Sequence, residues 1–330
     1  MFNEILDFTD YKPLGLNYYG AKKLIAPQIF QLMHERHFKR HGKKAEYFLD
    51  CFGGGGSMSL AALQFGYKAI YNELRADLCL FFDSLKREPL PFEWCDKKEF
   101  DEIKKIPRER RNLSEICKNL FFSWNFGGNS YAVVGKNDEI KRIFDFLHGE
   151  FSREGLSESD FKTARNLVKK GELNEARKFL ETCFGGRSGD CGYFLGYFGM
   201  KNAQEVLNLQ DLQVVNGSFK DYNLKPYKPH EIMIYADIPY QDDKSKASYK
   251  GVYDERFEIG EFCEWCEDLR GQGYEVFVSE YNAPSEDFTE LLNLKKWIFG
   301  GNNGVRYEKI FVLKDRKYDK KRQSKWQKLT

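Results

Sequence analysis

YFLDCFGGGGS, residues 47–57, joins an apolar run to four consecutive glycines and ends at a serine. The apolar run predicts a strand over 46–52, and Ser57 is typical of a residue that caps the start of a helix. Glycine has no Cβ, so the backbone can turn sharply here and a ligand can lie against it, facing the free N–H groups of the helix start. The stretch predicts a nucleotide-like ligand, although a purely structural tight turn explains such a loop equally well when it stands alone.

The loop differs from the two common phosphate-binding loops. It lacks the Lys-Ser/Thr ending of a P-loop, and Ser59 stands where the dinucleotide fingerprint has a third glycine after Gly54 and Gly56. Phosphate binding is therefore disfavoured. The next predicted strand ends at Glu73, where a carboxylate at the carboxyl end of a strand can accept hydrogen bonds from both hydroxyls of a ribose. Without the loop, a solvated glutamate would be an equally good interpretation of Glu73.

Short apolar runs alternate with helical segments on both flanks of the chain, which is typical of a parallel α/β sheet. The composition changes between about 86 and 210, where an aromatic run rich in Gly and Asn precedes two charged helices broken at Gly171. The change in composition predicts that this segment forms an inserted lobe. The elements predicted outside it are 46–52, 57–65, 67–73 and 75–85 on one flank, and 212–215, 232–237, 259–272, 274–280 and 307–313 on the other.

The strand predicted over 232–237 delivers Asp237-Ile238-Pro239-Tyr240 at its end. A proline turn there fixes together the directions of a carboxylate, a carbonyl and a ring. The amine of adenine is a poor nucleophile because its lone pair is delocalised into the ring. The Asp237 carboxylate and the Ile238 carbonyl would each accept a hydrogen bond from this amine and so localise its lone pair on the nitrogen. Tyr240 would stack on the base. Alone, the four residues also fit an ordinary strand-end turn.

These motifs, taken in order, resemble those of the Dam-like N6-adenine-specific DNA methyltransferases. The resemblance covers about 1–85 and 210–313 and is weak between them. The elements that carry it are Tyr18-Tyr19-Gly20-Ala21-Lys22, Phe52-x-Gly54-x-Gly56, Glu73, Val215-Asn216-Gly217-Ser218-Phe219, Asp237-Ile238-Pro239-Tyr240 and Ser279-Glu280-Tyr281.

The resemblance implies a Rossmann-like mixed-sheet methyltransferase domain over 1–85 and 211–330, with a mainly helical DNA-recognition lobe inserted at 86–210. It implies direct transfer of a methyl group from S-adenosyl-L-methionine to the N6 amine of an adenine flipped out of double-stranded DNA, without a metal. The implied catalytic residues are Asp237, Ile238, Pro239 and Tyr240. The implied cofactor residues are Tyr19, Lys22 and Asp50 at the methionine end, Phe52, Gly54 and Gly56 as the floor, Glu73 at the ribose, Phe219 at the adenine, and Asp237.

Two positions depart from the family pattern, which usually has Pro at position 238 and Asp at position 218, where Ile238 and Ser218 stand. Since position 238 contributes only a backbone carbonyl, isoleucine can supply the same acceptor, and an active enzyme is favoured. Two alternatives remain open: a non-catalytic homologue that binds S-adenosylmethionine and DNA, and an amino-methyltransferase that acts on cytosine N4 or on RNA.

Basic clusters occur near both ends of the chain, although the net charge is only +2. The segment 22–44 has seven Lys or Arg against one acid, and 314–328 has eight against two. Such clusters suit phosphate contacts, while a solvated helix face and a disordered tail are equally good interpretations. Inside the predicted lobe, the run 124–131 offers amides and rings to DNA or forms an aromatic packing loop, and Arg108, Arg110 and Arg111 contact phosphates or line a solvated face.

Neither a metal nor a membrane is expected. His34, His37 and His41 share one side of a predicted helix, but the surrounding cations favour a DNA-facing basic helix over a metal site. The pair Cys263 and Cys266 has no second pair at zinc spacing. No stretch approaches the ~18 apolar residues of a membrane span, and the N-terminus is acidic, so we expect a cytoplasmic protein. A restriction nuclease partner and a monomer or weak dimer are compatible with the sequence.

Overall fold

A computed structural model describes residues 6–16, 20–123, 137–184, 192–239, 257–298 and 304–314 of the 330-residue chain. The chain divides into two units. The first comprises 1–13, 22–74 and 210–330, and the second comprises 14–21 and 75–209. Whether these units correspond to a methyltransferase domain and a DNA-recognition lobe stays a prediction.

The first unit is built on a sheet of seven described strands. Their order across the sheet is β3-β2-β1-β4-β5-β7-β6. The strands β1 to β5 run parallel, and β7 runs antiparallel to both β5 and β6. The bounds are β1 Tyr47–Asp50, β2 Lys68–Glu73, β3 Leu212–Asn216, β4 Ile232–Asp237, β5 Val276–Glu280, β6 Phe288–Ile298 and β7 Gly304–Leu313.

Helices α1, α2 and α10 belong to the first unit, and the described part of the second unit consists of helices and loops. In the described ranges, no helix is long and apolar enough to cross a membrane. The helices are α1 Ala26–His41, α2 Ser57–Gln64, α3 Ala76–Ser84, α4 Lys97–Lys105, α5 Leu113–Phe121, α6 Asn137–Leu147, α7 Glu158–Lys169, α8 Leu173–Cys183, α9 Gly192–Val206 and α10 Ile259–Gly271.

Burial explains why the central strands are continuous apolar runs. The first five residues of β4 are all buried, as expected for a parallel strand covered on both faces. Helix α1 buries residues at a spacing of three to four, among them Ile29, Phe30 and Met33. The Phe30 ring contacts the rings of Phe48, Phe65 and Tyr67. These contacts fix the first unit's helices on the sheet that carries the candidate site.

The sheet confirms the predicted Rossmann-like mixed α/β fold, in which the order of the parallel strands reverses between β1 and β4. The sequence did not predict β6, which pairs along its length with β7 at the edge of the sheet. Lys295 and Lys296 are adjacent in its sequence, so polar and apolar residues do not alternate strictly. The two-residue period typical of a strand was therefore not evident.

The start of α2 corrects the prediction that Ser57 caps the helix. Gly56 is the N-cap residue, with a φ of 72° and no side-chain cap, and Ser57 is the first helical residue. The Ser57 hydroxyl instead accepts a hydrogen bond from the Lys22 backbone amide at 3.1 Å. The serine therefore ties the segment before α1 to the glycine loop.

The prediction of a DNA-facing basic helix is corrected for two of the three histidines of α1. His34 and His37 are buried, and they contact the Tyr67 hydroxyl and the His230 carbonyl oxygen. Burial lowers the pKa of His37 to about 4, so this ring is neutral near pH 7. The charged groups of the same helix include Arg36 and Arg40, both of which pair with Glu275.

Candidate active site

The glycine loop is a sharp turn between β1 and α2. Gly54 and Gly56 have φ angles of 47° and 72°, in the left-handed region that residues with a Cβ rarely adopt. The Gly56 amide donates to the Gly53 carbonyl oxygen at 2.8 Å, which closes the turn. The conformation therefore requires the two glycines that the sequence singled out.

Gly53 is required for a different reason, which the sequence did not reveal. A Cβ at this position would lie 2.3 Å from a ring carbon of Tyr71. The Tyr71 hydroxyl donates to the Gly54 carbonyl oxygen at 2.8 Å, and the Gly53 amide donates to the Asn72 carbonyl oxygen at 2.8 Å. The ring of Tyr71, on β2, thus supports the loop from beneath, a contact between separate segments that no spacing in the sequence indicates.

Glu73 lies at the end of β2 and reaches the glycine loop. Its Oε2 accepts a hydrogen bond from the Gly54 amide at 2.8 Å, and the residue is buried. The Gly217 amide donates to the Glu73 carbonyl oxygen at 3.1 Å. The Asn72 side-chain amide donates to the carbonyl oxygens of Cys51 and Gly217, each at 3.1 Å. The glycine loop, Glu73 and the segment after β3 are therefore hydrogen-bonded together.

Two aromatic rings predicted to contact the same ligand lie against each other. Phe52 stacks on Phe219 with ring centroids 5.3 Å apart and planes 30° apart. Both rings also contact Phe257 and Phe262. This aromatic cluster forms an apolar surface next to the glycine loop, on the side of the sheet that carries α10.

Asp50 is a buried carboxylate at the end of β1. The Ser59 hydroxyl donates to its Oδ2 at 2.8 Å, whereas Oδ1 has no well-aligned hydrogen-bond partner among the described residues. Burial raises the pKa of Asp50 to about 7, and the nearby carboxylates of Asp237 and Glu73 add to the increase, which the Ser59 hydrogen bond opposes. The site therefore contains an acid that is only partly ionised at neutral pH.

Asp237 lies at the end of β4 and forms an ion pair with Lys22. Lys22 Nζ lies 2.6 Å from Asp237 Oδ2 and 3.6 Å from Glu308 Oε2. The Lys22 side chain is fully buried, while that of Asp237 is 23% exposed. Burial alone would lower the pKa of Lys22, but the carboxylates of Asp237 and Glu308 outweigh it and raise the pKa. Lys22 is therefore a cation beside Asp237 at neutral pH.

The remaining predicted residues of the turn differ in position. Ile238 is 1% exposed and belongs to the apolar cluster that includes Phe219 and Phe262, and Pro239 is half-buried. Tyr240 and Tyr19 lie outside the described residues. Asp50 and Tyr235 pair across β1 and β4, so the structure brings Asp50 and Asp237 to the same edge of the sheet at the ends of adjacent strands.

The residues expected to contact DNA are only partly described. Arg111 is buried and donates to the Ile106 carbonyl oxygen and to Asn119 Oδ1. Its interpretation as a phosphate contact or a solvated residue is therefore wrong, because the guanidinium connects a loop to α5. Arg110 is exposed and Arg108 half-buried. The run 124–131 and the basic segment beyond Lys314 lie outside the described residues.

A Rossmann-like sheet that gathers a glycine loop, Glu73 and an Asp-Ile-Pro turn at one edge is typical of the amino-methyltransferase class. Residues 18–176 match the model of the D12 class N6 adenine-specific DNA methyltransferase family. This match confirms the resemblance to this enzyme family that the sequence predicted. It includes Lys22, the glycine loop and Glu73 but ends before β4, so it does not bear on Asp237. No curated protein matches the chain.

We expect Gly53→Ala to lower the free energy of unfolding by about 1–3 kcal/mol, because the new methyl group would displace the Tyr71 ring and break its bond to Gly54. Chemical denaturation measures the change. The matched control is Gly260→Ala near the start of α10, where a Cβ meets nothing within 4 Å and alanine favours the helix. Equal stability of the two variants would contradict the role of the Tyr71 contact.

The pKa of Asp50 predicts a pH-dependent cost to stability. A carboxyl group whose folded pKa is raised binds its proton more tightly in the folded state, so stability falls as the pH rises from about 4 to about 7. Asp50→Asn removes this cost. We expect the free energy of unfolding of the variant, relative to that of the wild type, to increase by up to about 4 kcal/mol over that range and to stay constant above it. Denaturation at several pH values measures the gain, and Asp221→Asn, at an exposed position, should show no such trend.

Proposed function

We propose that the protein transfers a methyl group from S-adenosyl-L-methionine to the N6 amine of an adenine flipped out of double-stranded DNA. The observation that carries the proposal is the position of Asp237, a partly exposed carboxylate at the end of β4, beside the strand that leads into the glycine loop. A fixed acceptor next to a loop suited to an adenosine is the arrangement that methylation of an amine requires.

The residues present fit S-adenosylmethionine, which combines an adenosine with a cationic methionine end. The buried Asp50 Oδ1 lacks a well-aligned partner among the described residues, and a cationic group would supply one. Glu73 is a carboxylate at the end of β2, suited to ribose hydroxyls, and the rings of Phe52 and Phe219 offer an apolar surface to an adenine. Gly54 and Gly56 let the ligand lie against the backbone.

S-adenosylmethionine supplies a methyl group that its sulfonium already activates for displacement. The protein's task is to orient the acceptor amine and to stabilise the charge that develops on it. Asp237 Oδ1 or Oδ2 would accept a hydrogen bond from the amine, and the Ile238 carbonyl would accept the second. Pro239 fixes the turn, and Tyr240 would stack on the base. Lys22 and Tyr19 belong to the element at the methionine end.

Flipping explains how a base inside a duplex reaches Asp237. Extrusion costs a few kcal/mol of stacking and pairing, which stacking on Tyr240 and hydrogen bonds to Asp237 would offset. We propose that residues 86–210 form the DNA-recognition lobe, in which Arg108 and Arg110 remain candidates for phosphate contacts. Arg111 and the buried histidines of α1 are excluded from that role by their contacts within the protein.

The departure at position 238 fits an active enzyme. The Ile238 side chain packs in the apolar cluster, so isoleucine stabilises the end of β4, while the proposed role in transfer uses only the carbonyl oxygen. Pro239 still restricts the backbone after it. The residue that differs from the family pattern therefore replaces one source of rigidity, a proline ring, with another, a packed side chain.

The affinity for S-adenosylmethionine should depend on pH through Asp50. The ionised carboxylate binds the cationic ligand, and the protonated form, which predominates below a pKa of about 7, does not. We expect the Kd to rise by up to about tenfold per pH unit as the pH falls below 7. Calorimetric titration from pH 5.5 to 8.5 measures it. Asp50→Asn should bind weakly with a flat profile; a variant that keeps the wild-type pH profile would remove Asp50 from the site.

Methyl transfer itself is tested with labelled S-adenosylmethionine and DNA of mixed sequence. We expect the wild type to incorporate label, and Asp237→Asn to lower kcat by at least about 10²-fold, because it weakens an acceptor aimed at the reacting amine. Asp221→Asn serves as the exposed control. Digestion of the product to nucleosides should yield N6-methyladenine; N4-methylcytosine would identify a different base, and binding without transfer would identify a non-catalytic homologue.

A further inference from the structure

A chain of four polar side chains extends from Asp237 into the interior of the first unit. Lys22 Nζ contacts both Asp237 and Glu308, at 2.6 and 3.6 Å, and the Ser279 hydroxyl donates to Glu308 Oε1 at 2.7 Å. The four residues come from the segment before α1, the end of β4, β5 and β7. The carboxylate of Glu308 thus uses one oxygen for Ser279 and the other for Lys22.

Glu308 occupies an unusual position for an acid. Its side chain and that of Lys22 are both 0% exposed, and Ser279 is also fully buried. The residues of β7 at positions 310–312 are buried and apolar, so an apolar residue at 308 would avoid the cost of desolvating a carboxylate. A buried charge of this kind is a candidate for a functional role rather than a stabilising one.

The charges around Lys22 explain what Glu308 contributes. Burial lowers the pKa of the ammonium, and Asp237, Glu308 and Tyr281 are among the groups that raise it. If Asp237 turns an oxygen toward the amine of a substrate, its attraction for Lys22 weakens. Glu308 remains, and its second oxygen is fixed by Ser279. It can therefore keep the ammonium charged and in place while Asp237 serves as an acceptor.

We propose that Glu308 is a positioning residue, which together with Ser279 holds Lys22 so that the ammonium orients the Asp237 carboxylate for methyl transfer. The proposal rests on the proposed function of Asp237. Glu308 and Ser279 do not touch the reacting atoms; they act through Lys22. The group Lys22, Asp237 and Glu308 carries one net negative charge, which also favours a cationic methyl donor nearby.

The test is Glu308→Gln, which preserves shape and can still bond to Ser279 but removes the charge. We expect kcat to fall by about ten- to a hundredfold, as for a displaced catalytic group, with a smaller change in the KM for S-adenosylmethionine. Loss of the negative neighbour should lower the pKa of Lys22, so the alkaline limb of the kcat profile should move to lower pH by about one unit or more. Nitrogen-15 NMR of the lysine side chains should show the same shift for Lys22 directly.

Glu290→Gln is the matched control, since Glu290 lies on the neighbouring strand β6 and pairs with Lys309 at 3.0 Å, near the surface. It should leave kcat and the pH profile unchanged. Wild-type kcat and an unshifted alkaline limb in Glu308→Gln would overturn the proposal. If that variant melts at a much lower temperature, Ser279→Ala decides, because it frees the Glu308 carboxylate but keeps its charge. A smaller fall in kcat with a smaller shift of the alkaline limb in the same direction supports the proposal, and wild-type kcat with an unshifted profile overturns it.

The proposed function and this inference fail in distinguishable ways. A wild type that binds S-adenosylmethionine but transfers no methyl group to DNA contradicts the proposed function. A wild type that transfers methyl normally, with Glu308→Gln equally active, contradicts only the role of Glu308. The NMR titration needs no transfer, so a Lys22 signal that titrates identically in the two proteins overturns the inference in either case.

Discussion

The fixed position of Lys22 Nζ is the interaction on which the candidate site depends. Its ammonium lies between Asp237 and Glu308. A fully buried carboxylate at Glu308 beside the partly exposed one at Asp237 would be costly without a cation between them. The Lys22 backbone is held as well, because its amide donates to Ser57 at the start of α2. One residue thus links the turn after β4, the strand β7 and the glycine loop.

The sheet order explains why these groups meet. In an open parallel sheet, ligands bind at the carboxyl ends of the strands where the order reverses, and here that point lies between β1 and β4. Asp50 ends β1 and Asp237 ends β4, so the Asp237 carboxylate adds to the effect of burial in raising the pKa of Asp50. The protein tolerates this repulsion at one edge because the hydrogen bonds among the glycine loop, Glu73 and the segment after β3 hold that edge together.

Local patterns predicted much of the fold and the positions of several residues of the candidate site. The apolar runs that became β1, β2 and β4 were evident because buried parallel strands have continuous apolar sequences, and Gly54, Gly56 and Glu73 were evident because a turn and a strand end restrict residue type. Tyr71 and Glu308 were not evident. Each acts through a contact with a distant segment, and a single tyrosine or glutamate in a strand gives no sign of such a partner. Ser57 was assigned to the wrong position because its hydroxyl bonds to Lys22 rather than to the helix.

The same contacts account for a conflict between stability and activity at this edge. A protein selected only for stability would replace Asp50 and Glu308 with uncharged residues, since burial penalises both carboxylates and an apolar side chain of similar volume is often no less stable. Their presence together with Lys22 therefore indicates that the charge is used. Asp50 lacks a well-aligned partner for one oxygen among the described residues, whereas both oxygens of Glu308 are engaged. Asp50 is therefore suited to receive a cationic ligand, and Glu308 is suited to hold the Lys22 ammonium, a cation that the protein already contains.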